Sequence, residues 1–149
     1  MVARNFLELA KQLVQEDKPA ELRSALGRAY YALFNSAVEC QQALGFPLHT
    51  GNTSGKNHSL VRDRFGDVVT DDVLTLYQDM RDLHDMRKCA DYDLADSDVE
   101  DIETVKAHVE IAEEAINLVE KIFTSPNKGE IVREMQDWDS RNRRRQPAA

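Results

Sequence analysis

The sequence predicts an all-α protein, an up-and-down bundle of four to five helices with a short appended C-terminal helix and a basic tail. Three observations predict it. Glycine and proline are sparse, six and four in 149 residues, so little interrupts regular structure. Apolar residues recur at three- and four-residue intervals, and no period-two alternation of β-branched residues persists. Short connections join four substantial helical segments, which favours antiparallel neighbours. A chain of this length can bury one core without staples. The expected division is a helical domain over 1–124 and a partly disordered C-terminal extension over 125–149.

The first helix is expected from about Ala3 to Gln15, with Phe6, Leu7, Leu9, Ala10, Leu13 and Val14 at helical spacing. "EDKPAE" breaks the chain and restarts it, because Pro19 suits a first helical position whose N–H would be unpaired anyway. A long second helix should run from Pro19 to Leu44 and stop at Gly45, with Pro47 just beyond. "GFPLHTGNTSGKN" reads as a mobile loop. A short third helix follows from about His58 to Phe65, and a fourth starts near Thr70 or Asp71, whose oxygens can cap free N–H groups. Ser97 and Glu100 have capping-box spacing and announce a fifth helix to about Phe123. That helix places Ile102, Val105, Val109, Ala112, Ile116 and Val119 inward and Glu103, Glu110, Glu113 and Glu120 toward water. A last short helix over Glu130 to Asp139 gathers Ile131, Met135 and Trp138 on one side.

Composition narrows the function classes. The formal charge of −8 argues against a broad nucleic-acid-coating surface but leaves room for a local phosphate site. Four arginines, Arg141, Arg143, Arg144 and Arg145, crowd the C-terminus; without them 15 basic residues face 27 acidic ones, a balance of −12. The end of the chain is thus a basic tag on an acidic body; a solvated, disordered tail is the expectation, and a tail that contacts RNA or an acidic partner is the alternative. Cys40 and Cys89 are the only cysteines and read as packed thiols. No metal or cofactor is read from the sequence. No apolar run approaches the roughly 20 residues of a membrane span and no signal peptide is evident, so the expected location is cytoplasmic.

Two lines of residues break the amphipathic pattern. On the second helix Ser24, Arg28, Tyr31 and Asn35 form one continuous line between the apolar positions. On the fourth, Val73, Leu76, Met80, Leu83, Arg87 and Ala90 continue a single stripe, with His84 and Asp91 at its edge. A guanidinium aimed at or beside the interior must be paired or must face an anion. Asp91 is four residues from Arg87 and within reach of it, and Tyr92 can donate a hydrogen bond. Two readings stay open: Arg87, Asp91 and Tyr31 satisfy one another, or the same atoms grip a phosphate. Metal-independent phosphodiester chemistry would add a histidine near neutrality. The candidates are His58, which opens the third helix beside Lys56, and His84, one turn before Arg87; His49 lies in the loop and His108 on the acidic fifth helix.

The segments "RSALGRAYYALFNSA", "KNHSLVRDRFG" and "DMRKCADYDL", in that order and spacing, resemble the HEPN superfamily of small helical proteins, in particular a bacterial and archaeal branch with R-A-Y-Y-A-x-F and R-x-x-A-D-Y-D segments. The likeness spans roughly Phe6 to Phe123. It implies a helical bundle that dimerises through faces carrying the motif. It also implies metal-independent endoribonuclease activity in toxin–antitoxin, phage-defence or CRISPR-associated systems, often beside a minimal nucleotidyltransferase as antitoxin partner. The family's R-x4-6-H signature places its arginine on Arg87, whereas Tyr92 and Asp93 stand five and six positions on, where the histidine would be. The expectation is therefore an RNA- or nucleotide-binding homodimer with a degenerate motif. In it Arg87 and Arg28 grip a phosphate, Asp91 orients Arg87, Tyr31 and Tyr92 hydrogen-bond or stack, and His58 contributes from its helix start, with Asn35, His84 and Lys56 nearby. The alternatives are a ribonuclease using His58 or His84, and a non-catalytic dimeric scaffold.

Overall fold

The computed structural model describes residues 1–142 and Pro147. Among these residues six α-helices form: α1 (Arg4–Gln15), α2 (Pro19–Ala43), α3 (Asn57–Arg64), α4 (Asp71–Tyr92), α5 (Ile102–Lys121) and α6 (Lys128–Arg141). No strand is present among the described residues. Cross-helix pairs give the topology. Arg4 meets Glu120 and Lys11 meets Glu113, so α1 and α5 run antiparallel. Arg23 meets Ala90 and Tyr31 meets Arg87, so α2 and α4 do too. The bundle is up-and-down, and α2 packs against α1, α4 and α5.

That central place follows from α2's composition. Leu22, Ala25, Leu26, Ala29, Tyr30, Ala32, Leu33 and Ala37 are all buried, and the four alanines let neighbouring helices approach closely. The turn from α1 to α2 holds Asp17 at φ 47°, a left-handed conformation that aspartate tolerates better than most residues. Pro19 then occupies the first helical position, as the sequence predicts. At the other end Gly45 takes φ +90° while Phe46 N–H donates to Gln41 O at 2.9 Å and Gly45 N–H to Gln42 O at 3.0 Å. This is a Schellman stop, and it is why the helix ends where the glycine stands.

Several local expectations need correction. Ser97 does not cap the fifth helix: it precedes a 3-10 turn over Asp98–Glu100, and Asp101 makes the cap, accepting from Thr104 N at 2.9 Å. Glu100 is drawn away by Arg23, to which it is bonded at 2.7 Å. Thr70 is the N-cap of α4 but makes no side-chain capping bond. The "GFPLHTGNTSGKN" loop is tied down. Phe46 is buried, Asn57 bonds both the N–H and the carbonyl of His49, and Gly51–Lys56 form a 3-10 turn.

The short C-terminal helix packs back rather than trailing. Ile131, Met135 and Trp138 are buried, a burial of about 1.5–3 kcal/mol for each large apolar side chain. Asp139 reaches the fully buried Arg64 at 2.9 Å. Arg141, grouped with the basic tail on sequence, belongs to α6 and pairs with Asp67 at 3.2 Å. The expectations for Arg143, Arg144 and Arg145 fall outside the described residues. No helix is long and apolar enough to cross a membrane among the described residues.

Candidate functional site

α1 and α4 flank α2, so the side of α2 between them forms the floor of a valley, closed at one end by α3. The line read from the sequence lies along this floor. Ser24 is exposed, while Arg28, Tyr31 and Asn35 are half-buried. Phe6 enters from α1, His58 from α3, and His84 and Arg87 from α4.

Tyr31 is the hinge of the basic half. Arg87 Nη2 donates to its hydroxyl at 3.1 Å. The guanidinium carbons of Arg87 and Arg28 lie 5.3 and 5.8 Å from its ring centroid, and Arg28 is also 5.7 Å from the Phe6 ring. Contacts of this kind hold an arginine against a ring face without using up its N–H groups. Arg28 makes no ion pair among the described residues. Arg87 Nε stands 2.9 Å from Asp91 Oδ2, but too far off the N–H direction for a hydrogen bond, and it is a buried polar atom without an acceptor. Part of the self-satisfying network is therefore present, and part of Arg87's donor capacity is unspent.

The other half is a layer of four rings. Tyr30, Phe34, His58 and His84 pack with neighbouring centroids 4.4–6.0 Å apart and interplanar angles no greater than 26°. The two imidazoles are nearly parallel, 5.4 Å apart at 7°. Tyr30 OH and His58 Nδ1 are hydrogen-bonded at 2.6 Å. Burial, and then the Arg87 charge, lower the His58 pKa. Burial pushes His84 down to about 4, helped by His58, Lys88, Arg87 and Arg62. Both rings are therefore neutral at pH 7, a state in which each nitrogen pair offers one donor and one acceptor.

The structure gathers Arg28, Tyr31, His58, His84 and Arg87 in one valley, with Asp91 at its edge. Asn35 turns to its own helix, donating to Tyr31 O at 2.8 Å, and so braces the floor. Lys56 is exposed at the end of the 3-10 turn, two residues before His58. Tyr92 is not brought in. It is 77% exposed and borders a shallow surface with Asp85, Lys88, Cys89 and Asp93.

Sequence reading missed Tyr30, Phe34 and Phe6 as members of the site. The first two sit in a helical apolar stripe indistinguishable from core, and only the fold shows that this stripe reaches the two histidines. Grooves elsewhere lack this chemistry: one of about 430 Å³ between α1 and α5 is lined by lysines, carboxylates and aliphatic residues, without an imidazole or guanidinium. No family model, curated protein or solved structure matches the chain.

Proposed function

We propose that the valley binds the phosphate of a nucleotide or an RNA, with Arg28 and Arg87 as its cationic walls and Tyr31 as the platform between them. The observation that carries this is the pair of guanidiniums braced on one ring: one lacks a carboxylate partner and the other has an unspent buried donor. Arginine's planar fork suits phosphate oxygens, and charge-assisted hydrogen bonds are the strong ones. Asp91 holds Arg87 in place from outside. The motif likeness supports a HEPN-type protein working as a homodimer in a toxin–antitoxin or defence-type system, beside a partner such as a minimal nucleotidyltransferase.

A second reading, metal-independent endoribonuclease, is favoured by the parallel imidazoles beside Arg87. In that reaction a base takes the 2′-hydroxyl proton as its oxygen attacks phosphorus. The bond to the 5′ oxygen breaks, an acid returns a proton to that oxygen, and a cyclic phosphate is left. His58 and His84 replace the absent motif histidine in this reading.

Fluorescently labelled single-stranded RNA and AMP, titrated in EDTA into wild type and Arg87→Ala and then run on a gel, test both. Binding that weakens about tenfold or more in the variant, the loss of one or two charged hydrogen bonds, supports the first reading. Cleavage abolished by His84→Ala supports the second. Wild type that neither binds nor cleaves refutes both.

A further inference from the structure

We propose that Tyr30 is a positioning residue whose hydroxyl, by donating to His58 Nδ1, fixes that imidazole with its proton on Nε2, so that His58 serves as a hydrogen-bond donor to a phosphate oxygen and His84 remains the imidazole free to accept a proton. The inference rests on the valley being a phosphate site and assigns the two histidines different roles within it.

The direction of the bond follows from what each atom can do. Tyr30 is 1% exposed, and its hydroxyl contact among the described residues is His58 Nδ1 at 2.6 Å. If Nδ1 carried the proton and donated, the phenolic hydrogen would be left buried and unpaired, which costs about 1–3 kcal/mol. If the phenol donates, both atoms are satisfied, and the imidazole nitrogen is the better acceptor of the two because it is far more basic than a phenolic oxygen. Burial holds the Tyr30 hydroxyl well above its ordinary pKa, so it stays a donor across the working pH range. A neutral imidazole carries one ring proton, and with Nδ1 accepting, that proton sits on Nε2.

Packing keeps the assignment in place. The His58 ring lies against Phe34 at 4.4 Å and His84 at 5.4 Å, both within 23° of parallel. Its Nε2, on the opposite side of the ring from Nδ1, has no partner among the described residues. His84 contrasts with it: it stacks on Tyr30 at 4.8 Å and makes no hydrogen bond through either nitrogen among the described residues. The charges facing the two rings are cationic, Arg62 from α3 and Arg87 and Lys88 from α4. Each is balanced by its own carboxylate, Asp63, Asp91 and Asp85 respectively. A bound phosphate would be an anion shared by the imidazoles and Arg87. His58 would meet it with a proton already in place, and His84 would have to take one up.

The test is a long-range proton–nitrogen spectrum of the imidazoles at pH 7, on the whole chain labelled with nitrogen-15, for wild type and Tyr30→Phe, before and after adding AMP. Phenylalanine keeps the buried ring, and the wild-type spectrum decides the first point without any variant. His58 should show Nε2 protonated and Nδ1 bare, and in Tyr30→Phe it should relax toward a mixture. AMP should shift His58 Nε2–H, and Tyr30→Phe should weaken AMP about fivefold, the loss of one held hydrogen bond. A wild-type His58 protonated on Nδ1 overturns the proposal. So does AMP binding that moves Arg87 and leaves His58 still, and in that case the phosphate reading survives. If AMP and RNA bind nowhere on the wild type, that reading fails and the donor role fails with it.

Discussion

Arg23 and Arg64 hold the bundle together, whereas Arg28 and Arg87 line its valley, and the four guanidiniums differ in how completely the protein satisfies them. Arg23 bonds Glu100 at 2.7 Å and the carbonyls of Ala90, Asp93 and Asp96 at 2.9–3.0 Å, so one side chain gathers the end of α4 and the connection to α5. Arg64, at 0% exposure, bonds Asp139, Gln41 and the Pro47 carbonyl and lies over the Phe46 ring. Arg28 leans on two rings, and Arg87 has a bond to Tyr31 and an off-axis carboxylate. A charge withdrawn from water must recover its solvation from the protein. Where recovery is complete the arginine is a structural part. Where it is incomplete, the remaining capacity is available to an external anion.

The largest expected effect is on the fully satisfied pair. Arg64→Ala leaves Asp139 and the Pro47 carbonyl unpaired beside the core and should cost about 3–5 kcal/mol. For a chain of this size that lowers the melting temperature by roughly 10 °C, measurable by calorimetry. Arg23→Ala should follow closely. Its particular signature is faster hydrogen exchange of the amides between Asp93 and Asp101, because the carbonyls that order this connection lose their common donor.

Arg28→Ala removes ring contacts and no ion pair, and Arg87→Ala removes a partly buried pair that is off-axis for a hydrogen bond, so each should cost only about 1 kcal/mol in stability. Each should nevertheless weaken RNA. In a salt titration of single-stranded RNA binding, removing one phosphate contact should lower the slope of log affinity on log salt by about 0.7. A large loss of stability in either variant, with RNA binding and its salt slope unchanged, would place these arginines with the structural pair and break the comparison.

The smallest effect is on pH dependence. Burial holds the His58 and His84 pKa values below that of an unfolded histidine, His84 at about 4. Between pH 6.5 and about 4 the unfolded chain binds protons that the folded chain refuses, so these residues make stability fall as pH drops through that window. Asp79 acts in the opposite sense. Burial, with Asp82 and Glu114 nearby, raises it to about 6, so its contribution is complete at low pH and lost as pH rises through 6. Asp79→Asn should therefore stabilise the protein at pH 7 and steepen the acid side of the stability curve, followed by urea denaturation at several pH values. Bound AMP should raise the His84 titration midpoint, and AMP should bind more tightly at pH 5.5 than at 7.5.

Much of this arrangement is legible in the sequence. The stripe of α4 and the polar line of α2 place Arg87, Tyr31 and Arg28 correctly because a helix fixes spacing along one face, and both lines lie within single helices. What joins α2 to α3 and α4 is not legible. Tyr30 and His58 are 28 residues apart, and nothing local marks their bond. Arg23 and Arg64 escaped for the same reason: their partners are distant carbonyls and carboxylates, whereas a helix pattern shows only that an arginine interrupts an apolar stretch. The Ser97 and Glu100 spacing misled because a capping box is a local rule, and Arg23 overrides it by claiming Glu100. Tyr92 misled in a different way, since a side chain five residues beyond Arg87 on a helix points well away from it.

The most direct measurement is the affinity of labelled single-stranded RNA for wild type and the Arg28→Ala/Arg87→Ala double variant in EDTA, with the melting temperature taken on the same samples. An RNA affinity that falls at least tenfold, while the melting temperature stays within about 5 °C, is the result expected of arginines kept for an external phosphate. Unchanged RNA affinity, or a double variant that melts as low as Arg64→Ala, would contradict it.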